Sequence, residues 1–122
     1  MEDETFAAVI TEAEKYLGYP YVWGGSSPST SFDCSGFVSW VLANSGVCNT
    51  GRLGAQGLYN ISTPVSNPQP GDLVFFVGTY DTPGVSHVGI YVGYLYHGFL
   101  SVNIQCDVAC LLEGCNLVLI EC

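Results

Sequence analysis

Phe32-Asp33-Cys34-Ser35-Gly36-Phe37-Val38-Ser39-Trp40-Val41-Leu42 is the stretch on which the fold turns. Phe37, Val38, Val41 and Leu42 share one face at helical spacing, which predicts a buried helix ending near Asn44-Ser45-Gly46. Asp33 stands just ahead of it, and its carboxylate suits the N-cap of a helix. Cys34 therefore falls in the first turn, where side chains face unpaired backbone N–H groups and the positive end of the helix dipole. Both features stabilise a thiolate over a thiol, and the same donors suit an oxyanion on an acyl group under attack.

Upstream, Phe6, Val9, Ile10, Ala13 and Leu17 form one apolar stripe, so a first helix is predicted over Glu4 to Leu17. Gly18 and Pro20 stop it, and residues 24–31 are rich in turn formers. Downstream, a short helix is expected around Arg52 to Tyr59. The three prolines of residues 62–71 argue against regular structure there. From Asp72 the period changes to that of strands. Leu73 to Val77 reads as a buried strand, Val85 to Val92 and Tyr94 to Val102 alternate, and residues 117–121 are apolar enough to complete a sheet. Helices first and antiparallel strands afterwards is an α+β order, and 122 residues suit one domain.

Composition narrows the functions. With 48% apolar and 11% charged residues the chain is not disordered. Eleven acids stand against Lys15 and Arg52 alone, a formal charge of −9. Two cations cannot neutralise a run of phosphates, so nucleic acid is excluded as a partner, and anionic lipid on the same ground. No run reaches the roughly 18 apolar residues of a membrane span. Residues 1–15 carry acids where an export signal would carry a basic and then an apolar block.

Six cysteines are unevenly placed: Cys34 and Cys48 lie far apart, and Cys106, Cys110, Cys115 and Cys122 crowd the end. No CxxC occurs and only His87 and His97 accompany them, so no zinc pattern is defensible and no metal or other cofactor is expected. A nucleophilic Cys34 needs a base, and histidine suits neutral pH. His87 opens a strand in Ser86-His87-Val88-Gly89-Ile90-Tyr91, and a hairpin would bring His97 alongside. A lone cysteine on a helix and a histidine opening a strand are also ordinary buried side chains, so spacing alone leaves both readings open.

Four motifs in order decide between them: Gly18-Tyr19-Pro20-Tyr21-Val22-Trp23-Gly24-Gly25, Phe32 to Val38, Pro70 to Phe76, and Ser86 to Gly93. Together they resemble the NlpC/P60 cysteine peptidases, papain-like enzymes that cut peptidoglycan stem peptides. The resemblance implies a papain-like α+β fold with N-terminal helices packed on a central antiparallel sheet. It also implies Cys34 as nucleophile, His87 as general base and Tyr21 as a hydroxyl donor to the oxyanion hole. Asp33 and Ser35 match positions that bind a stem peptide's free amine, although Asp33 serves equally as a helix cap. Arg52, with Ala55 and Gln56, resembles an Arg-x-x-Ala-Gln stretch, where the guanidinium meets a substrate carboxylate or pairs with a surface acid.

His97 is assigned as the residue orienting His87, although the connection after Gly93 is about two residues short of the family's usual turn, by strand parity. Beyond Gly98 the resemblance fades, and residues 99–122 are atypical. The implied activity is a cell-wall endopeptidase acting on the stem peptide, with the γ-D-glutamyl bond to the diamino acid as its target. Alternatives are an N-acetylmuramoyl-L-alanine amidase, a related acyltransferase, or an inactive binding module. Such a protein is secreted or wall-associated, and a wall-targeting domain would lie outside this chain.

Overall fold

The computed structural model describes residues 3–64, 69–77 and 81–91, with the backbone alone of 99–100 and 116–120. Helix α1 spans Asp3–Glu14, its two leading acids suiting the positive end of the helix dipole. Val9 and Ala13 of the apolar stripe are fully buried. The helix ends before Leu17, which is half exposed in the following turn, and Tyr16 takes the inward place instead. The Tyr16 hydroxyl donates to Glu12 Oε2 and accepts from Trp40 Nε1 at 2.9 Å, while Lys15 Nζ lies 3.0 Å from Glu12 Oε1. This network ties α1 to the next helix. The Tyr16 hydrogen bond holds the Glu12 carboxyl below the usual carboxylate range, opposed by burial and aided by Lys15. Burial, reinforced by Glu12, raises the Tyr16 phenol.

Helix α2 spans Cys34–Asn44 and sits where the helical spacing of its apolar residues predicted it. Phe37, Val38, Val41 and Leu42 are all fully buried, so this is the central element of the core. Phe32 packs edge-on against Tyr16 and Phe37, with ring centroids 5.2 and 5.9 Å apart. Two short strands, β1 (Ser26–Ser27) and β2 (Ser31–Phe32), form a hairpin leading into α2. The start of α2 is seated on the preceding loop: Asp33 N–H donates to Gly25 O at 3.0 Å. A Cβ on Gly36 would stand 2.0 Å from that same oxygen, so only glycine allows the approach.

A third helix, α3, covers Ala55–Asn60, shorter than the predicted Arg52 to Tyr59. Strand β3 (Ser62–Pro64) follows, inside the proline-rich stretch expected to be irregular. The physical reason is position: β3 lies at the end of the sheet order, where a proline's missing N–H costs no ladder bond. Strands β4 (Leu73–Val77) and β5 (Val85–Tyr91) match their predicted runs, and β6 (Phe99–Leu100) is the described part of the run expected from Tyr94. Strand β7 (Asn116–Ile120) completes the antiparallel sheet at an interior position, in the order β3-β7-β4-β5-β6. Helix α2 packs against β5, and α3 against β5 and β3. Leu73, Phe75, Val88 and Ile90 meet the α2 side chains in one core. No described helix is long and apolar enough to cross a membrane.

Candidate active site

Cys34 is the first residue of α2, and its thiol is free and almost wholly buried. It lies in the wall of a cleft of about 310 Å³ that Tyr21, Asp33, Ser35 and Arg52 also line. Trp23, with 71% of its surface exposed, borders this cleft, as do Thr82 and Pro83 in the loop before β5. The structure thus brings four of the sequence-predicted residues together at the N-terminus of one helix. Tyr21 reaches this place through a parallel bridge to Phe32, with Val22 N–H donating to Phe32 O at 2.9 Å.

Asp33 is the N-cap of α2, and its Oδ1 accepts from Gly36 N–H at 2.7 Å. Oδ1 also accepts from Ser35 Oγ at 3.2 Å, and Oδ2 from Gly24 N–H at 3.0 Å. Arg52 Nη2 then donates to both carboxylate oxygens at 2.9 Å, and Nη1 to Ser35 Oγ at 2.9 Å. The sequence offered Asp33 as cap or amine ligand, and Arg52 as substrate contact or partner of a surface acid. In the structure Asp33 is a cap, and Arg52 pairs with that buried capping acid at the cleft. A single nitrogen thus spans both carboxylate oxygens while the other reaches Ser35, so the guanidinium ties together the two residues that flank Cys34.

His87 lies on β5 directly after Val85 and Ser86, which line the cleft. It is itself buried and is not among the lining residues. Opposite it on β4 is Phe76, against which its ring stacks at 5.2 Å with a 27° interplanar angle. A register shift between Phe76 and Val77 marks a bulge at this point of the ladder. By strand alternation His87 shares a face with Phe76, while Val88 and Phe75 turn to the core. His97 lies outside the described residues.

One further contact was missed by sequence reasoning. Gln56 Oε1 accepts from Val85 N–H at 2.7 Å, joining α3 to the strand that carries His87. The signal available was the Arg52-x-x-Ala55-Gln56 spacing, which the sequence alone could not attach to partners. Cys48 is disulfide-bonded. Among the described residues, no group of three His, Cys, Asp or Glu side chains is arranged to hold a metal ion.

With this geometry in place, comparison with known proteins is direct. The family model "NlpC/P60 family" matches residues 18–107, beginning at the Gly-Tyr-Pro-Tyr segment and ending before the last fifteen residues. The chain is 48% identical to the bifunctional muramidase/DL-endopeptidase CwlT of Bacillus subtilis (strain 168), over 72% of this chain and 27% of that protein. It is 46% identical to the gamma-DL-glutamyl hydrolase of the same organism, over 70% of this chain and 21% of the relative. The chain thus spans about a quarter of the length of these relatives. Among solved structures, a lipoprotein-like protein of the NLP/P60 family from Staphylococcus aureus subsp. aureus Mu50 superposes with a TM-score of 0.81 at 35% identity, covering 100% of this chain and 43% of that one. Helices packed on an antiparallel sheet, a buried thiol opening the central helix, and a family match over most of the length converge on one assignment. The chain belongs to the NlpC/P60 family.

Proposed function

We propose that this protein is a peptidoglycan hydrolase, a cysteine endopeptidase that cuts the amide bond between the γ-carboxyl of D-glutamate and the diamino acid of a stem peptide. The observation that carries the reading is the free Cys34 thiol at the first position of α2, in the wall of a cleft of about 310 Å³. The names borne by the two Bacillus relatives support the class of bond.

In this reading His87 removes the Cys34 proton and the sulfur attacks the γ-carbonyl carbon. The carbonyl π electrons move to oxygen, and the Cys34 N–H with the Tyr21 hydroxyl stabilises the resulting oxyanion. Collapse breaks the C–N bond as the His87 imidazolium protonates the leaving amine, leaving a thioester. Water, deprotonated by His87, then attacks the thioester and releases the γ-carboxylic acid and the thiol. His97 would hold the His87 ring in the required tautomer. What supports His87 is its place on the strand that α2 packs against, one residue beyond a lining residue. Asp33 and Ser35 serve the substrate amine indirectly, since their engagement with Arg52 shapes the cleft wall that it meets. The protein acts at the cell wall, outside the membrane.

A second reading keeps the cleft and removes the chemistry. The stacking of the His87 ring on Phe76 is the observation that favours a stem-peptide-binding module in which the imidazole does not serve Cys34. Acid quenching during turnover of a synthetic stem tetrapeptide separates the two. The enzyme reading predicts a mass increment of one acyl fragment on the peptide containing Cys34. Bound tetrapeptide with no increment and no cleavage product supports the binding module.

A further inference from the structure

Residues 52–56 touch both walls of the cleft. On one side the Arg52 guanidinium donates to both Asp33 oxygens and to Ser35 Oγ, the residues flanking Cys34. On the other, Gln56 Oε1 accepts from Val85 N–H at 2.7 Å, two residues before His87. The Gln56 amide is itself oriented, since Nε2 donates to Asn60 Oδ1 at 2.9 Å one turn further along α3. Gly84, with φ +75°, lets the chain pass under this amide, and a Cβ there would stand 2.3 Å from Oε1. Leu53 and Ala55 pack against the core, so the segment between the two contacts is anchored.

We propose that Arg52 and Gln56 form a two-ended brace that sets the spacing between the helix carrying Cys34 and the strand carrying His87. Both are positioning residues, acting through Asp33 and Val85 on the two groups named above, and the inference rests on that reading of the site. Proton transfer between a thiol and an imidazole needs heavy atoms within about 3 Å, and a displacement near 1 Å costs on the order of a hundredfold in rate. Removing either end of the brace therefore lowers turnover without removing a group that binds substrate.

The test uses the 122-residue protein and a synthetic stem tetrapeptide. Gln56→Met keeps the side-chain length and deletes the acceptor, while Gln56→Glu keeps an acceptor oxygen. Arg52→Lys keeps the charge and loses the fork. The expected result is a kcat lower by about ten- to a hundredfold in Gln56→Met and Arg52→Lys. KM stays within about twofold, and Gln56→Glu recovers most of the loss. Loss carried by KM, or Gln56→Glu as impaired as Gln56→Met, overturns the brace. Arg52→Lys reads the other end independently, so a folding failure of Gln56→Met leaves the test intact. Inactive Cys34→Ala beside wild-type kcat in Arg52→Lys, or in a folded Gln56→Met, overturns the brace alone. Hydrolysis retained by Cys34→Ala overturns the nucleophile, and the brace with it.

Discussion

Arg52 stands beside Asp33 in the wall of the cleft, and its Nη2 donates to both carboxylate oxygens at 2.9 Å. The same carboxylate caps α2 through Gly36 N–H and holds the Gly24 N–H of the preceding loop. One acid therefore fastens the loop at Gly24, the start of α2 and the segment before α3 around the free thiol. Neither an isolated helix cap nor a surface ion pair would join three parts of the chain.

Asp33→Asn and Asp33→Ala separate the two roles of that acid. Asparagine still caps, so only the charged pairing weakens, at a cost near 1 kcal/mol because Arg52 is partly exposed and its charge is screened. Alanine also removes the cap and strands the Gly36 and Gly24 donors, for a total of about 2–3 kcal/mol. Urea denaturation of both variants measures this. Equal losses would show that the cap contributes nothing.

Stability on the acid side depends on Glu12. Its folded carboxyl lies below the usual value through the Tyr16 hydroxyl, so the stabilisation is present above the unfolded pKa and lost as pH falls through the folded one. Tyr16 works in the opposite sense. Its phenol is raised by burial, so its stabilisation holds below about pH 10 and is lost as pH rises through the folded value. Thermal melts against pH should therefore fall at both ends. Glu12→Gln flattens the acid limb and Tyr16→Phe the alkaline limb. An acid limb unchanged in Glu12→Gln contradicts the network.

Gly36→Ala tests the seating of α2. The added methyl would meet Gly25 O at 2.0 Å, a backbone atom, with no flexible side chain to give way. A loss of about 3 kcal/mol or more, read as a fall in the denaturation midpoint, is expected. A variant of wild-type stability would place the Gly25 loop elsewhere.

Much of this was legible in the sequence for identifiable reasons. The Phe37, Val38, Val41 and Leu42 face fixed α2 because all four are buried without exception. Asp33 was readable as a cap because capping is a local interaction. What escaped was non-local. No sequence spacing attaches Arg52 to an acid nineteen positions earlier, or Gln56 to a backbone N–H twenty-nine positions later. Strand β3 was missed because its proline is tolerated only at a sheet edge, and edges are set by strands arriving from far along the chain. Leu17 was misplaced inside α1 because Tyr16, held by Glu12 and Trp40, takes the core position.

His87 bears on Cys34 reactivity as well as on turnover. If the imidazole takes the thiol proton, His87→Ala should slow iodoacetamide labelling of Cys34 at pH 7 by at least tenfold while leaving the fold intact. Labelling at the wild-type rate would mean that the ring stays in its stack with Phe76 and takes no part.

Digestion of purified peptidoglycan by the wild-type chain and by Cys34→Ala, with the new termini identified by mass spectrometry, tests the account most directly. The wild-type chain should release a free D-glutamyl γ-carboxyl and a free diamino-acid amine, and Cys34→Ala should release neither. Cleavage that persists in Cys34→Ala, or none at all by the folded wild-type chain, would contradict the account.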